Sequence, residues 1–143
     1  MISPLVLLVD DEVPFVETMT KRLSKRDLTV LSAFSGREAL EALEKHRNVD
    51  VVILDVKMPE MDGIETLREI KKEYPLIKVI MLTGHATIET AIEGMRLGAF
   101  DYLMKPCDIE QLVAKVDEGA NKKRAHEEKI KEARVKEALA RHG

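Results

Sequence analysis

Cysteine is nearly absent from this chain: its 143 residues contain one, Cys107. An intramolecular disulfide is thereby excluded, and a reducing, cytoplasmic setting fits. Tryptophan is missing and aromatics make up 3% of the residues. A core must then be aliphatic, and an apolar fraction of 45% is enough to build one. Long hydrophobic runs are missing as well. The first apolar run, Leu5–Val9, ends after five residues in Asp10-Asp11-Glu12. A secretory signal needs roughly 7–15 apolar residues and a membrane span about 20, so neither is expected here. There is no low-complexity stretch and no internal repeat.

Charge of one sign is scarce only locally. Residues 1–118 carry 15 basic against 22 acidic side chains, a net −7, while residues 119–143 carry 8 against 4, a net +4. An acidic body argues against direct nucleic-acid binding. The basic C-terminal stretch reads as a solvated helix. Its Glu127/Lys131, Glu132/Lys136 and Glu137/Arg141 pairs lie at i, i+4 in the favourable order. The expected organisation is a domain over residues 1–118 followed by a charged helical extension or linker over 119–143.

Three short apolar runs dominate the pattern: Leu5–Val9, Val51–Leu54 and Val79–Leu82. Weaker ones cover Thr29–Ala33 and Tyr102–Met104. Runs without polar alternation suit strands buried on both faces, the parallel-sheet case. Between them lie helical spacings, such as Phe15, Met19 and Leu23, and the set Ile88, Ala91, Ile92 and Met95. Ser35 with Glu38 reads as a capping box, Thr87 with Thr90 as a cap, and Gly98 as a helix stop. Five β-α repeats in this order imply an α/β fold with a parallel sheet and helices on both faces.

The polar residues that follow the runs carry the chemistry. The first run ends in Asp10-Asp11, the second in Asp55, the third in Thr83, and the fifth leads to Lys105. Open parallel sheets bind ligands outside the carboxyl ends of their strands. Three carboxylates, a hydroxyl and an ammonium should therefore meet on one edge. Two carboxylates ~4 Å apart repel by about 4 kcal/mol at an effective dielectric near 20, so the cluster calls for a cation. An all-oxygen set without Cys or His suits Mg²⁺ or Mn²⁺. Lys and Thr suit the oxygens of a transferring phosphoryl group. No Gly-x-x-x-x-Gly-Lys-Ser/Thr loop is present to bind a nucleoside triphosphate. The phosphoryl group then goes onto the protein, for which a carboxylate is a competent acceptor.

At this point the chain resembles a two-component response-regulator receiver domain of the CheY-like kind. The resemblance is carried by Leu8-Val9-Asp10-Asp11-Glu12, Asp55 with Met58-Pro59 and Met61-Asp62-Gly63, Thr83-Gly84-His85-Ala86, Gly98-Ala99-Phe100-Asp101-Tyr102, and Lys105-Pro106. It spans about residues 4–118. It implies a flavodoxin-like (βα)5 three-layer sandwich with sheet order 2-1-3-4-5, here with an extended C-terminal helix.

The resemblance also implies roles. Asp55 is the phosphoacceptor. Asp11 and Asp55 ligate Mg²⁺ directly with the backbone carbonyl of Lys57, and Asp10 acts through water. Thr83 and Lys105 engage the phosphoryl group, and Tyr102 turns inward as Thr83 moves, although a core tyrosine would look the same in sequence. Lys57 and His85 flank the water path and tune the acyl-phosphate lifetime, though His85 also fits a solvent-facing loop histidine. The Lys105-Pro106 bond is expected to be cis. The implied partners are a histidine kinase or phosphotransfer protein and a downstream protein or output domain, with homodimerisation through the face of the fourth helix, fifth strand and fifth helix as a further hypothesis. Such a chain is a switch rather than an enzyme. Two rivals differ: an aspartate-nucleophile phosphatase, disfavoured because Lys57 stands where an Asp-x-Asp motif needs its second Asp, and a phosphorylation-independent interaction module.

Overall fold

The computed structural model describes residues 3–142. Its elements are β1 (Leu5–Val9), α1 (Val13–Ser24), β2 (Thr29–Ala33), α2 (Gly36–Lys45), β3 (Val51–Leu54), α3 (Gly63–Glu73), β4 (Lys78–Thr83), α4 (Ile88–Arg96), β5 (Asp101–Met104) and α5 (Ile109–His142). The strands form one parallel sheet in the order β2-β1-β3-β4-β5. This is the expected flavodoxin-like arrangement.

Successive strand side chains point to opposite faces, which explains the unbroken apolar runs. Leu7, Val9, Val52, Leu54, Val79 and Met81 pack with Leu43 of α2 and Leu67 and Ile70 of α3. Val6, Leu8, Val51, Ile53, Ile80 and Leu82 pack with Met19 and Leu23 of α1 and Leu112 and Val116 of α5. Both faces are thus covered, and each fully buried aliphatic side chain contributes roughly 1.5–3 kcal/mol.

Two helix starts differ in detail from expectation. Thr87 and Thr90 form a complete reciprocal capping box on α4. Ser35 accepts from the Glu38 N–H at 3.1 Å, but Glu38 Oε1 takes the Phe34 N–H instead of closing on Ser35. Gly98 ends α4 as expected. At φ +101° it lets its own N–H donate to Met95 O and the Ala99 N–H donate to Gly94 O, a Schellman arrangement.

The apolar set on α4 faces outward, against the helical-spacing expectation. Ile88, Ile92 and Met95 are 77%, 53% and 48% exposed, and Met104 of β5 is 66% exposed. The helix docks instead through its narrow face. Gly94 is its only buried residue among those described, and a Cβ there would sit 3.6 Å from the Tyr102 ring.

The C-terminal stretch is a solvated helix only from residue 128 to residue 142, and its start is anchored to the domain. Helix α5 runs unbroken for 34 residues, about 50 Å at 1.5 Å per residue. Its buried stripe continues past residue 118 through Gly119, Ala120 and Lys123. Lys123 is 4% exposed. Its Nζ lies 3.3 Å from Asp50 Oδ1 and 3.4 Å from Glu127, and Arg124 donates to Asp50 Oδ2 at 3.0 Å. Asp50 Oδ2 also accepts from the Leu5 N–H at 2.9 Å. A charged helix cannot float free when a carboxylate 73 residues upstream holds its lysine. No helix among the described residues is long and apolar enough to cross a membrane.

Candidate functional site

The site residues are the first ones beyond the strand ends, and neighbouring strands hold their backbones. The Asp10 N–H donates to Ala33 O at 3.1 Å, the Asp55 N–H to Val9 O at 3.0 Å, and the Lys105 N–H to Thr83 O at 2.9 Å. Extending the sheet by one more hydrogen bond fixes where each side chain leaves the backbone. Asp10, Asp55 and Thr83 are buried, whereas Asp11 is exposed.

Asp10, Asp11 and Asp55 each offer a carboxylate oxygen within 4.8 Å of the others. Both oxygens of Asp10 are engaged. Oδ1 accepts from the Glu12 N–H at 2.9 Å and Oδ2 from Lys105 Nζ at 2.6 Å. Asp55 Oδ1 accepts from the Val56 N–H at 3.0 Å. Thr83 Oγ1 accepts from the His85 N–H at 3.0 Å. A cluster of oxygen donors with three carboxylates is able to bind a divalent metal.

Burial pushes the Asp55 carboxyl up from its ordinary range, and the charge of Asp10 adds to this, against the opposing Thr83 hydroxyl, Lys105 and Val56 N–H. Burial alone would lower the Lys105 ammonium, but its hydrogen bond to Asp10 and the charges of Asp10, Asp55 and Glu12 push it up instead. Lys105 therefore stays cationic. A carboxyl raised on folding makes the native state bind more protons than the unfolded chain, so its stabilising contribution is full below 3.8 and is lost as pH rises through the folded value. In metal-free buffer, Asp55→Asn should therefore melt higher than wild type at pH 7. That gain should shrink as the pH falls through the raised Asp55 value and vanish below 3.8. Paired thermal melts across pH check this, and an unchanged or lowered midpoint at pH 7 would contradict it.

The other expected residues fall around this centre. Lys57 and His85 are exposed and, with Asp11, Glu12, Met58 and Pro59, line an open groove beside the carboxylates. Tyr102 is half-buried, and its hydroxyl lies 2.7 Å from Thr90 Oγ1 on α4. The Lys105-Pro106 bond is cis. Two neighbours escaped the sequence reading. Glu12 approaches Lys105 Nζ at 3.5 Å. The Phe15 ring lies under the same ammonium, 4.0 Å from Nζ to centroid. Its helical spacing with Met19 and Leu23 marks Phe15 as core, and nothing in the spacing announces its contact with the ammonium.

Comparisons with known proteins agree with the fold. The family model for the response regulator receiver domain matches residues 6–117. The transcriptional regulatory protein ZraR of Escherichia coli O157:H7 is 42% identical over 112 residues, 78% of this chain and 25% of that protein. The DNA-binding transcriptional regulator NtrC of Escherichia coli K12 is 38% identical over 113 residues, 79% of this chain and 24% of its own. The chain thus spans about a quarter of the length of these curated relatives. A response regulator receiver domain protein from Clostridium thermocellum superposes with a TM-score of 0.82 at 37% identity, over 85% of this chain and 98% of that one.

Proposed function

The chain belongs to the response regulator receiver domain family of two-component systems, and from that premise we propose that Asp55 accepts a phosphoryl group and thereby switches the surface around α4 and β5. The observation that carries the reading is the Asp10, Asp11 and Asp55 cluster, with Thr83 and Lys105 at the adjoining strand ends. An Asp55 carboxylate oxygen attacks phosphorus while the donor's bond to phosphorus breaks. The donor is a phosphohistidine of a kinase or phosphotransfer protein, or a small acyl phosphate, and its leaving group takes the electron pair. Asp10, Asp11, Asp55 and the Lys57 backbone carbonyl would hold Mg²⁺ or Mn²⁺, which would supply positive charge for the phosphoryl oxygens and relieve carboxylate repulsion.

The chain's own residues do the rest. Lys105 pairs with the new charge and the Thr83 hydroxyl donates to a phosphoryl oxygen. Tyr102 follows Thr83 inward and leaves Thr90. Lys57 and His85, beside the groove, set how readily water reaches the acyl phosphate. The consequence is a population shift in the α4–β5 surface. Ile88, Ile92, Met95 and Met104 make that surface apolar, suited to a downstream partner, an output domain such as a transcriptional regulator carries, or a second copy of the chain.

With acetyl phosphate and Mg²⁺ the chain should gain one phosphoryl group by intact mass, and excess EDTA should prevent it. Sustained release of phosphate from small phosphomonoesters would replace this reading with a phosphatase. Light scattering with beryllofluoride and Mg²⁺ should show the dimer, and an unchanged monomer would remove homodimerisation from the proposal.

A further inference from the structure

We propose that Phe15 is a positioning residue for the switch: its ring face seats the Lys105 ammonium on the Asp10 side of the site until Asp55 carries a phosphoryl group. The proposal rests on the reading of Asp55 as acceptor. Lys105 Nζ has three neighbours on this side: Asp10 Oδ2 at 2.6 Å, Glu12 Oε1 at 3.5 Å, and the Phe15 ring centroid at 4.0 Å. All three come from the end of β1 and the first turn of α1. Among the described contacts Lys105 hydrogen-bonds Asp10, while Asp55 acts on it through charge.

The ring is well placed for this. Phe15 packs on the α1/α5 side of the core, so its position is fixed by neighbours that serve the fold anyway. Pro14, in the first turn of α1, pre-sets the backbone just before it. The negative face of an aromatic ring attracts a cation, and attracts it more as water is excluded. The Lys105 side chain is only 15% exposed. An aliphatic residue of similar volume would fill the same space without that attraction. A phosphoryl group on Asp55 must draw Nζ off the ring, so the ring favours the unphosphorylated state.

Three measurements test this. In metal-free protein, the Lys105 ε-methylene protons should be shifted upfield by the ring in wild type and Phe15→Tyr, and unshifted in Phe15→Leu. In Mg²⁺, Phe15→Leu should bind beryllofluoride roughly two- to fivefold more tightly than wild type. In a Lys105→Met background the same substitution should leave beryllofluoride affinity unchanged. Phe15→Met serves as the apolar variant if Phe15→Leu does not melt cooperatively. Unshifted protons in wild type, or an affinity gain that survives Lys105→Met, overturns the proposal, because either would mean a packing effect that ignores the ammonium. A wild type that binds no beryllofluoride overturns the acceptor reading and this proposal with it.

Discussion

Asp55→Asn should abolish phosphoryl labelling: with acetyl phosphate and Mg²⁺ the expected loss is about three orders of magnitude or more, as for removal of nucleophiles in enzymes. The reason lies in how the three carboxylates are occupied. Asp10 has both oxygens committed, to the Glu12 N–H and to Lys105. Asp11 is exposed, where water screens and solvates it. Asp55 accepts the Val56 N–H on Oδ1, and the Thr83 hydroxyl acts on the same carboxyl. It is buried and desolvated without being paired to Lys105 as Asp10 is, which favours nucleophilic attack once a cation holds it ionised. An amide in its place fits the same space and keeps an acceptor for Val56, so the fold survives. Intact-mass spectrometry reads the result. A variant that still labels stoichiometrically would transfer the acceptor role to Asp10 or Asp11.

Gly63→Ala should be the most damaging small change to the fold. A Cβ at this position would overlap the carbonyl oxygen of Asp55 and lie 2.7 Å from Val56 Cα. Both obstacles are backbone, and the Gly63 N–H already donates to Val56 O at 2.7 Å. The loop cannot yield without moving the backbone of Asp55 itself. The expected cost is about 3 kcal/mol, a fall in melting temperature of roughly 10 °C for a domain of this size. Labelling of Asp55 should fall further than the unfolded fraction explains. Gly84→Ala is the internal control, because a Cβ there meets nothing within 4 Å. If Gly63→Ala melts like Gly84→Ala, the close approach of α3 to the Asp55–Val56 backbone is not a constraint.

Much of this was legible in the residues because it is local. Leu5–Val9 and Val51–Leu54 are apolar at every position since alternate side chains face two different helix layers. That unbroken pattern announces a parallel sheet, and the polar residue ending each run announces the edge where ligands gather. What could not be read depends on distant pairing. Ile88, Ile92 and Met95 have the spacing of a buried face, yet Gly94 and the Tyr102 ring determine that α4 docks on its other side. Lys123 belongs to a run of three cations that looks solvated, until Asp50 claims it across the sheet. Phe15 reads as a core filler by spacing, and only the return of the chain at Lys105 gives its ring a cation to hold.

The grip of Asp50 on Lys123 and Arg124 makes α5 a shaft with a set angular phase. Beyond Glu127 the helix continues through His142, so its far end stands roughly 20 Å from its last anchor. Each residue in such a shaft adds about 100° of rotation as well as 1.5 Å of reach. Deleting one residue between Glu127 and His142 therefore turns everything beyond it by more than a quarter of a circle. Deleting four nearly restores the heading at a shorter distance. For anything carried at that end, length and direction are coupled through the helix, and the number of residues acts as a compass setting rather than a spacer.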